Sequence, residues 1–168
     1  MDLLEAISQD NLKQVRSILE IDRSININDT VRNQQGQNVT TPLVRACQRA
    51  CKGGKASYLE IVNLLFEHKA EVNKQTQCVD GLLPLYVACD SGDIALVKLL
   101  LSKGAYVDSQ VRLNKMSPLH IAIRNGHLKI VEMLLGCEAD VDVVSSSGMF
   151  PVLSVLIDCF SVLLHIII

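Results

Sequence analysis

Four prolines constrain what this chain can fold into. Pro42, Pro84, Pro118 and Pro151 are spaced by 42, 34 and 33 residues, and each is followed by a similar string. Residues 84 to 101 read PLYVACDSGDIALVKLLL and residues 118 to 135 read PLHIAIRNGHLKIVEMLL, which align without a gap. A chain that repeats itself at such a period folds as an array of like units, not around one irregular core.

The repeated string has a physical reading. In Thr41-Pro42 and Ser117-Pro118 a hydroxyl side chain precedes a proline, the arrangement of a capped helix whose first turn needs no proline N–H. Leu85 and Ala88, like Leu119 and Ala122, lie three apart on one face, with alanine allowing close approach of a neighbour. Gly92 and Gly126 supply the left-handed residue that ends so short a helix. A second helix follows. Its apolar positions Ile94, Val97, Leu100 and Leu101, and Leu128, Val131, Leu134 and Leu135, form a stripe of 3.6-residue period. Gly104-Ala105 and about a dozen polar residues then lead back to the next proline as an extended turn. Helices of roughly 9 to 11 residues are marginal alone in water and persist only by stacking unit on unit. The expected fold is therefore all-α, a solenoid of stacked helix-turn-helix units with projecting hairpin turns.

The strings TPLVRA at 41–46, SPLHIA at 117–122, NGHLKIVEMLL at 125–135 and SKGAYVD at 102–108 resemble the ankyrin repeat, and the 33-residue period agrees. The likeness covers nearly the whole chain. It implies an ankyrin domain over 1–148, in units of about 1–34, 35–74, 75–110 and 111–143, followed by a degenerate or truncated last repeat over 149–168. The first unit lacks a proline, yet Leu3, Ala6, Leu12, Val15, Ile18 and Leu19 keep the offsets of Leu85, Ala88, Ile94, Val97, Leu100 and Leu101. Asp10 stands there in place of the turn glycine.

Two segments break the pattern. Between Ala46 and Leu59 the chain runs 13 positions where Ala88 to Ile94 takes 6, an insertion around CKGGKAS. Arg45, Arg49, Lys52 and Lys55 make this the most basic stretch, with no acid before Glu60. It reads as a solvated loop, or as a dock for an acidic partner or membrane headgroups. It is not a phosphate-binding loop, because the first glycine of that motif and the hydroxyl residue after the lysine are missing. The last segment, PVLSVLIDCFSVLLHIII, puts Val155 at the alanine position, replaces the turn by Cys159-Phe160, and sets Val162 and His165 where Lys129 and Glu132 face solvent. Three readings of it stand open: a piece of a longer array or a shifted reading frame, a tail packed into its own or a partner's groove, and a membrane anchor. About 20 residues suffice to span hydrocarbon. Against that stand Pro151 and Asp158, the latter costing on the order of 3 kcal/mol at mid-membrane.

Composition narrows the function classes. With a formal charge of −2, only six Phe and Tyr residues and no reader motif, nucleic-acid binding is not expected. The N-terminal MDLLEAISQD carries no secretory pattern, so the expected setting is intracellular and cytoplasmic, with the nucleus also open. The six cysteines are then expected as free thiols behaving as small buried apolar groups. The four histidines, His68, His120, His127 and His165, fall at unrelated positions of the repeat and form no cluster with acids or thiols. No enzyme, cofactor, metal or small-molecule substrate is expected. His120, in the string shared with the resembled family, is implied to be a structural hydrogen-bonding residue.

What remains is the concave face of the stack, the surface repeat proteins use for partners. By register it carries Gln48 and Arg49, Asp90 and Ser91, and Arg124 and Asn125 from the first helices. The turns add Asn38 and Thr40, Asp80 and Leu82, and Asn114 and Met116. A mixed polar stripe with Leu82 and Met116 as apolar anchors suits an extended protein segment. The chain thus reads as a non-catalytic interaction module or adaptor. The alternative is a membrane-tethered adaptor anchored by 149–168. Leu65, Glu71, Val72 and Asn73 resemble the pattern favoured by asparaginyl hydroxylases acting on ankyrin repeats, which implies Asn73 as a target.

Overall fold

A computed structural model describes residues 2–21, 25–29, 31–32, 38–51, 57–76 and 80–151; of Val31, Arg32, Asn38, Val39 and Cys51 it describes the backbone. Among the described residues four helix pairs follow one another: α1 (Leu3–Ser8) with α2 (Leu12–Ile21), α3 (Pro42–Cys51) with α4 (Tyr58–Glu67), α5 (Pro84–Ser91) with α6 (Ile94–Ser102), and α7 (Pro118–Arg124) with α8 (Leu128–Gly136). Each first helix packs on the next first helix, α1 on α3, α3 on α5 and α5 on α7, while second helices form the outer layer. One continuous core runs through the stack and includes the alanines of the repeated position, Ala6, Ala46, Ala88 and Ala122.

Local signals start and stop these helices. The Val44 N–H donates to Thr41 Oγ1 at 3.2 Å, and Ser117 with His120 forms a reciprocal capping box. Asp93 Oδ1 accepts the Leu96 N–H at 2.9 Å at the start of α6. Between the helices of three units the chain enters the left-handed region at one equivalent position, Asp10, Gly92 and Gly126, so the aspartate does take the glycine's place. Lys69, Gly104 and Glu138 repeat this conformation after the outer helices.

Burial on the outer helices departs from the expected stripe. Leu96, Val97 and Leu100 are buried, as are Ile130 and Leu134, whereas Ile94 is 39% and Leu128 74% exposed. At about 100° per residue, Leu96, Val97 and Leu100 share roughly a quarter to a third of the circumference, and Ile94 lies outside that arc. The cysteines also divide: Cys47 and Cys89 are buried, but Cys137 is exposed. The Cys51 side chain, Cys78 and Cys159 lie outside the described residues.

After each outer helix the chain projects as a hairpin. In the first, β1 (Val31–Arg32) pairs antiparallel with β2 (Asn38–Thr40), Val31 opposite Thr40. These strands are the β structure among the described residues, an ornament on an otherwise helical chain. The others are each closed by a backbone bond across the base, Thr76 N–H to the Leu82 carbonyl, Val111 to Met116, and Ser145 to Met149, at 3.0 to 3.1 Å. These closures explain the irregular proline spacing. The enclosed loops have five, four and three residues in turn, so the 34-residue spacing carries one extra hairpin residue. The 42-residue spacing carries two, plus the insertion between α3 and α4. Lys52 and Lys55 of that insertion, and the tail from Val152 with Val155, Cys159, Phe160, Val162 and His165, lie outside the described residues.

Side chains at one repeated position clamp unit to unit. Asn28 Nδ2 donates to the Lys69 carbonyl and its Oδ1 accepts the Glu71 N–H. Forty-five residues on, across the unit that carries the insertion, Asn73 does the same with the Gly104 carbonyl at 2.9 Å and the Tyr106 N–H at 2.8 Å. Asp108, lacking a donor, accepts only the Asp140 N–H.

Candidate partner-binding surface

Three of the four histidines are among the described residues, each in a different element. His68 caps the end of α4. His120 is buried, its Nδ1 accepting the Ser117 N–H, so that Nε2–H donates to the Met149 carbonyl at 3.0 Å. His127 stacks over Gly92, and His165 lies outside the described residues. Among the described residues no group of three or more His, Cys, Asp and Glu could hold a metal. A cleft of about 650 Å³ lies among Leu19, Glu20, Ile25, Ile27, Glu67, His68 and Lys69, at the ends of two outer helices. No first-helix residue lines it.

The first helices and hairpins carry the residues singled out from sequence, and the fold uses them unequally. Gln48 and Arg49 are half-buried near the end of α3. Asp80 is exposed on its hairpin, and Leu82 behind it is half-buried, its N–H held by Thr76 Oγ1. Arg124 is exposed at the end of α7, with Nη1 3.6 Å from the Met116 sulfur. Ser91 Oγ is turned back to the Ala88 carbonyl. Asn125 Nδ2 donates to both the carbonyl and the carboxylate of Asp90.

Thr40 and Met116 are inside the protein, not on the face. Both lie two residues before the proline, where the closing backbone pair turns the side chain toward the stack. The half-buried Leu82 occupies the same position. Asn38 is in β2, and its side chain lies outside the described residues. Asn114 is committed within its turn, Oδ1 accepting the Met116 N–H and its carbonyl accepting the Ser146 N–H. The Tyr86 hydroxyl lies near its side chain. Burial is the main influence on that phenol and pushes its pKa above the ordinary 10.0.

Two residues outside the face set chosen from sequence lie on the same hairpins and first helices, one of them, Arg45, already read as part of the basic stretch. Leu113 is 60% exposed at a hairpin, and its N–H donates to the Asp80 carbonyl of the preceding hairpin at 3.4 Å. Arg45 is the second. Its signal was visible in the aligned strings, where TPLVRA carries arginine at the place of Val87 and Ile121.

The hairpins therefore bind one another through backbone bonds, Leu113 to Asp80 and Ser146 to Asn114, and the inner helices through Asn125 and Asp90. The result is one preformed face in place of independent loops. No helix among the described residues is long and apolar enough to cross a membrane. A family model described as ankyrin repeats in three copies matches residues 3–110 and 48–145. No curated protein matches the chain. Ankyrin repeats are generally protein–protein interaction modules and are typically non-catalytic. With the repeat register, the stacked helix pairs and a family match over most of its length, the chain belongs to the ankyrin repeat family.

Proposed function

We propose that this chain is a non-catalytic adaptor that holds an extended segment of a partner protein against its concave face, in an intracellular setting. The observation that carries this reading is the cross-linking of hairpins and first helices between units, which fixes the face before any partner arrives. A fixed face spares a complex the ordering cost that flexible loops would pay. Gln48, Arg49, Asp80, Leu82 and Arg124 supply the contacts, and Leu113 adds an apolar one. Asp90, Ser91, Asn114 and Asn125 shape the face through their bonds to it, and Thr40 and Met116 support it from beneath.

Affinity capture with the full chain, beside a variant carrying Arg49→Glu and Arg124→Glu, tests the proposal. Partners captured by the unaltered chain are lost from the variant, whose circular dichroism stays the same. Retention of every partner removes this face from consideration.

A second reading, a membrane-tethered adaptor, is favoured by one sequence feature, the nearly uncharged stretch 149–168. Carbonate extraction of the full chain beside one ending at Ser147 decides it, since release of both excludes an anchor. Asn73 is a candidate hydroxylation target within either reading. Both polar atoms of its amide are engaged between units, so modification there would act on the stack as well as on the surface.

A further inference from the structure

Arg45 stands at a helix position that is apolar and buried in the two units that follow, where Val87 is 7% and Ile121 0% exposed. Arg49 lies one turn further on the same face of α3. Both are half-buried, and the Nε atom of each is closed to solvent without a hydrogen-bond partner. Neither forms an ion pair with an acid among the described residues, where the salt bridges are Lys74 to Glu71 and Lys129 to Glu132. Withdrawing a guanidinium from water without an anion is unfavourable, and two cations one turn apart repel each other. Folding would be better served by valine at position 45. A local rule broken without compensation among the described residues points to a site that binds something from outside.

Resting on the adaptor reading above, we infer that Arg45 and Arg49 form an anchor for carboxylates of an acidic partner peptide lying along the N-terminal part of the concave face. The chemistry fits. A carboxylate accepts two parallel N–H bonds from one guanidinium, and a peptide with acids at alternate positions reaches both arginines. Half-burial strengthens such bonds relative to those made by exposed cations such as Lys98.

The experiment is fluorescence anisotropy of the full chain with a labelled dodecapeptide of alternating Glu and Ala, beside Gln–Ala and Lys–Ala peptides and a short single-stranded RNA. The Glu–Ala peptide binds, more weakly as salt rises, and the other probes do not. Arg45→Gln and Arg49→Gln each weaken binding by about tenfold or more. Lys98→Gln leaves it unchanged. Arg45→Val abolishes binding and raises the thermal midpoint, a gain that a merely structural arginine would not give. Arg49→Lys keeps the charge and the fold, and binds at an intermediate level because the planar fork is lost.

Absence of binding by the Glu–Ala peptide overturns the anchor. So does equal binding of the Gln–Ala peptide, stronger binding of the RNA, or a lower midpoint in Arg45→Val. A protein partner that stays on the concave face in Arg45→Val and Arg49→Gln would leave the adaptor reading in place and remove this anchor alone.

Discussion

Asn125 Nδ2 lies 2.9 Å from the main-chain carbonyl of Asp90 and 2.9 Å from its carboxylate oxygen Oδ1, one amide group binding the end of α7 to the end of α5. A neighbouring side chain, His127, places Nε2 3.2 Å from the same carbonyl. One carbonyl that α5 leaves open at its C-terminus, that of Asp90, is thus satisfied by the following unit, which ties the two helices together.

Removing that amide tests its weight. Asn125→Ala is expected to cost about 1.5 kcal/mol, the low end for a hydrogen bond to a charged group because both residues are exposed. Asn125→Asp costs more, since it loses the donor and sets two carboxylates together. Urea denaturation of the full chain measures both.

Gly92 and Gly104 both have positive φ, yet they differ in surroundings. A Cβ on Gly92 would lie 2.6 Å from the His127 ring, whereas one on Gly104 meets nothing within 4 Å. Gly104→Ala therefore costs about 1 kcal/mol through the backbone alone, and Gly92→Ala costs more. Adding His127→Ala to Gly92→Ala recovers part of the loss. The double-mutant cycle reads a coupling of about 1 kcal/mol.

The clamp between units predicts opposite signs for two exchanges. Asn73→Asp loses the bond to the Gly104 carbonyl and destabilises by about 1 kcal/mol. Asp108→Asn keeps the acceptor for the Asp140 N–H and gains a donor that, by register, faces the Glu138 carbonyl, so it stabilises by about 0.5 to 1 kcal/mol. Thermal melts of the two variants in parallel check the signs.

Burial, with a smaller contribution from the Asp90 carboxylate, pushes the Cys89 thiol up to about 12 from its ordinary 9.0. Above pH 9 the unfolded chain releases this proton while the folded chain keeps it. The stability is whole below that pH and declines as pH rises toward 12. The raised phenol of Tyr86 adds to the decline above 10.0. The urea midpoint measured across this range should fall, and less steeply in Cys89→Ala. Maleimide labelling mapped by peptide at neutral pH should find Cys137 modified and Cys89 spared.

Much of this was legible in the chain. Thr41, Ser117 and the prolines start helices through bonds to groups within three residues of themselves, and Asp10 takes the glycine's conformation in the equivalent turn. What stayed hidden involved a neighbouring unit. Thr40 and Asp80 look alike as polar hairpin residues, but one is buried and the other exposed. Ile94 and Val97 look alike as members of one stripe, but the packed arc is centred nearer Leu100.

From the chain alone came the units, their order, the helix starts and stops and the candidate face, because capping, turn conformation and helical period are settled over a few residues. The packing of one unit against the next decided which members of that face are free. It joined Asn125 to Asp90, drew Met116 inward and left Arg45 without an acid among the described residues. Those outcomes depend on how side chains from segments more than thirty residues apart meet, a distance that no local periodicity encodes.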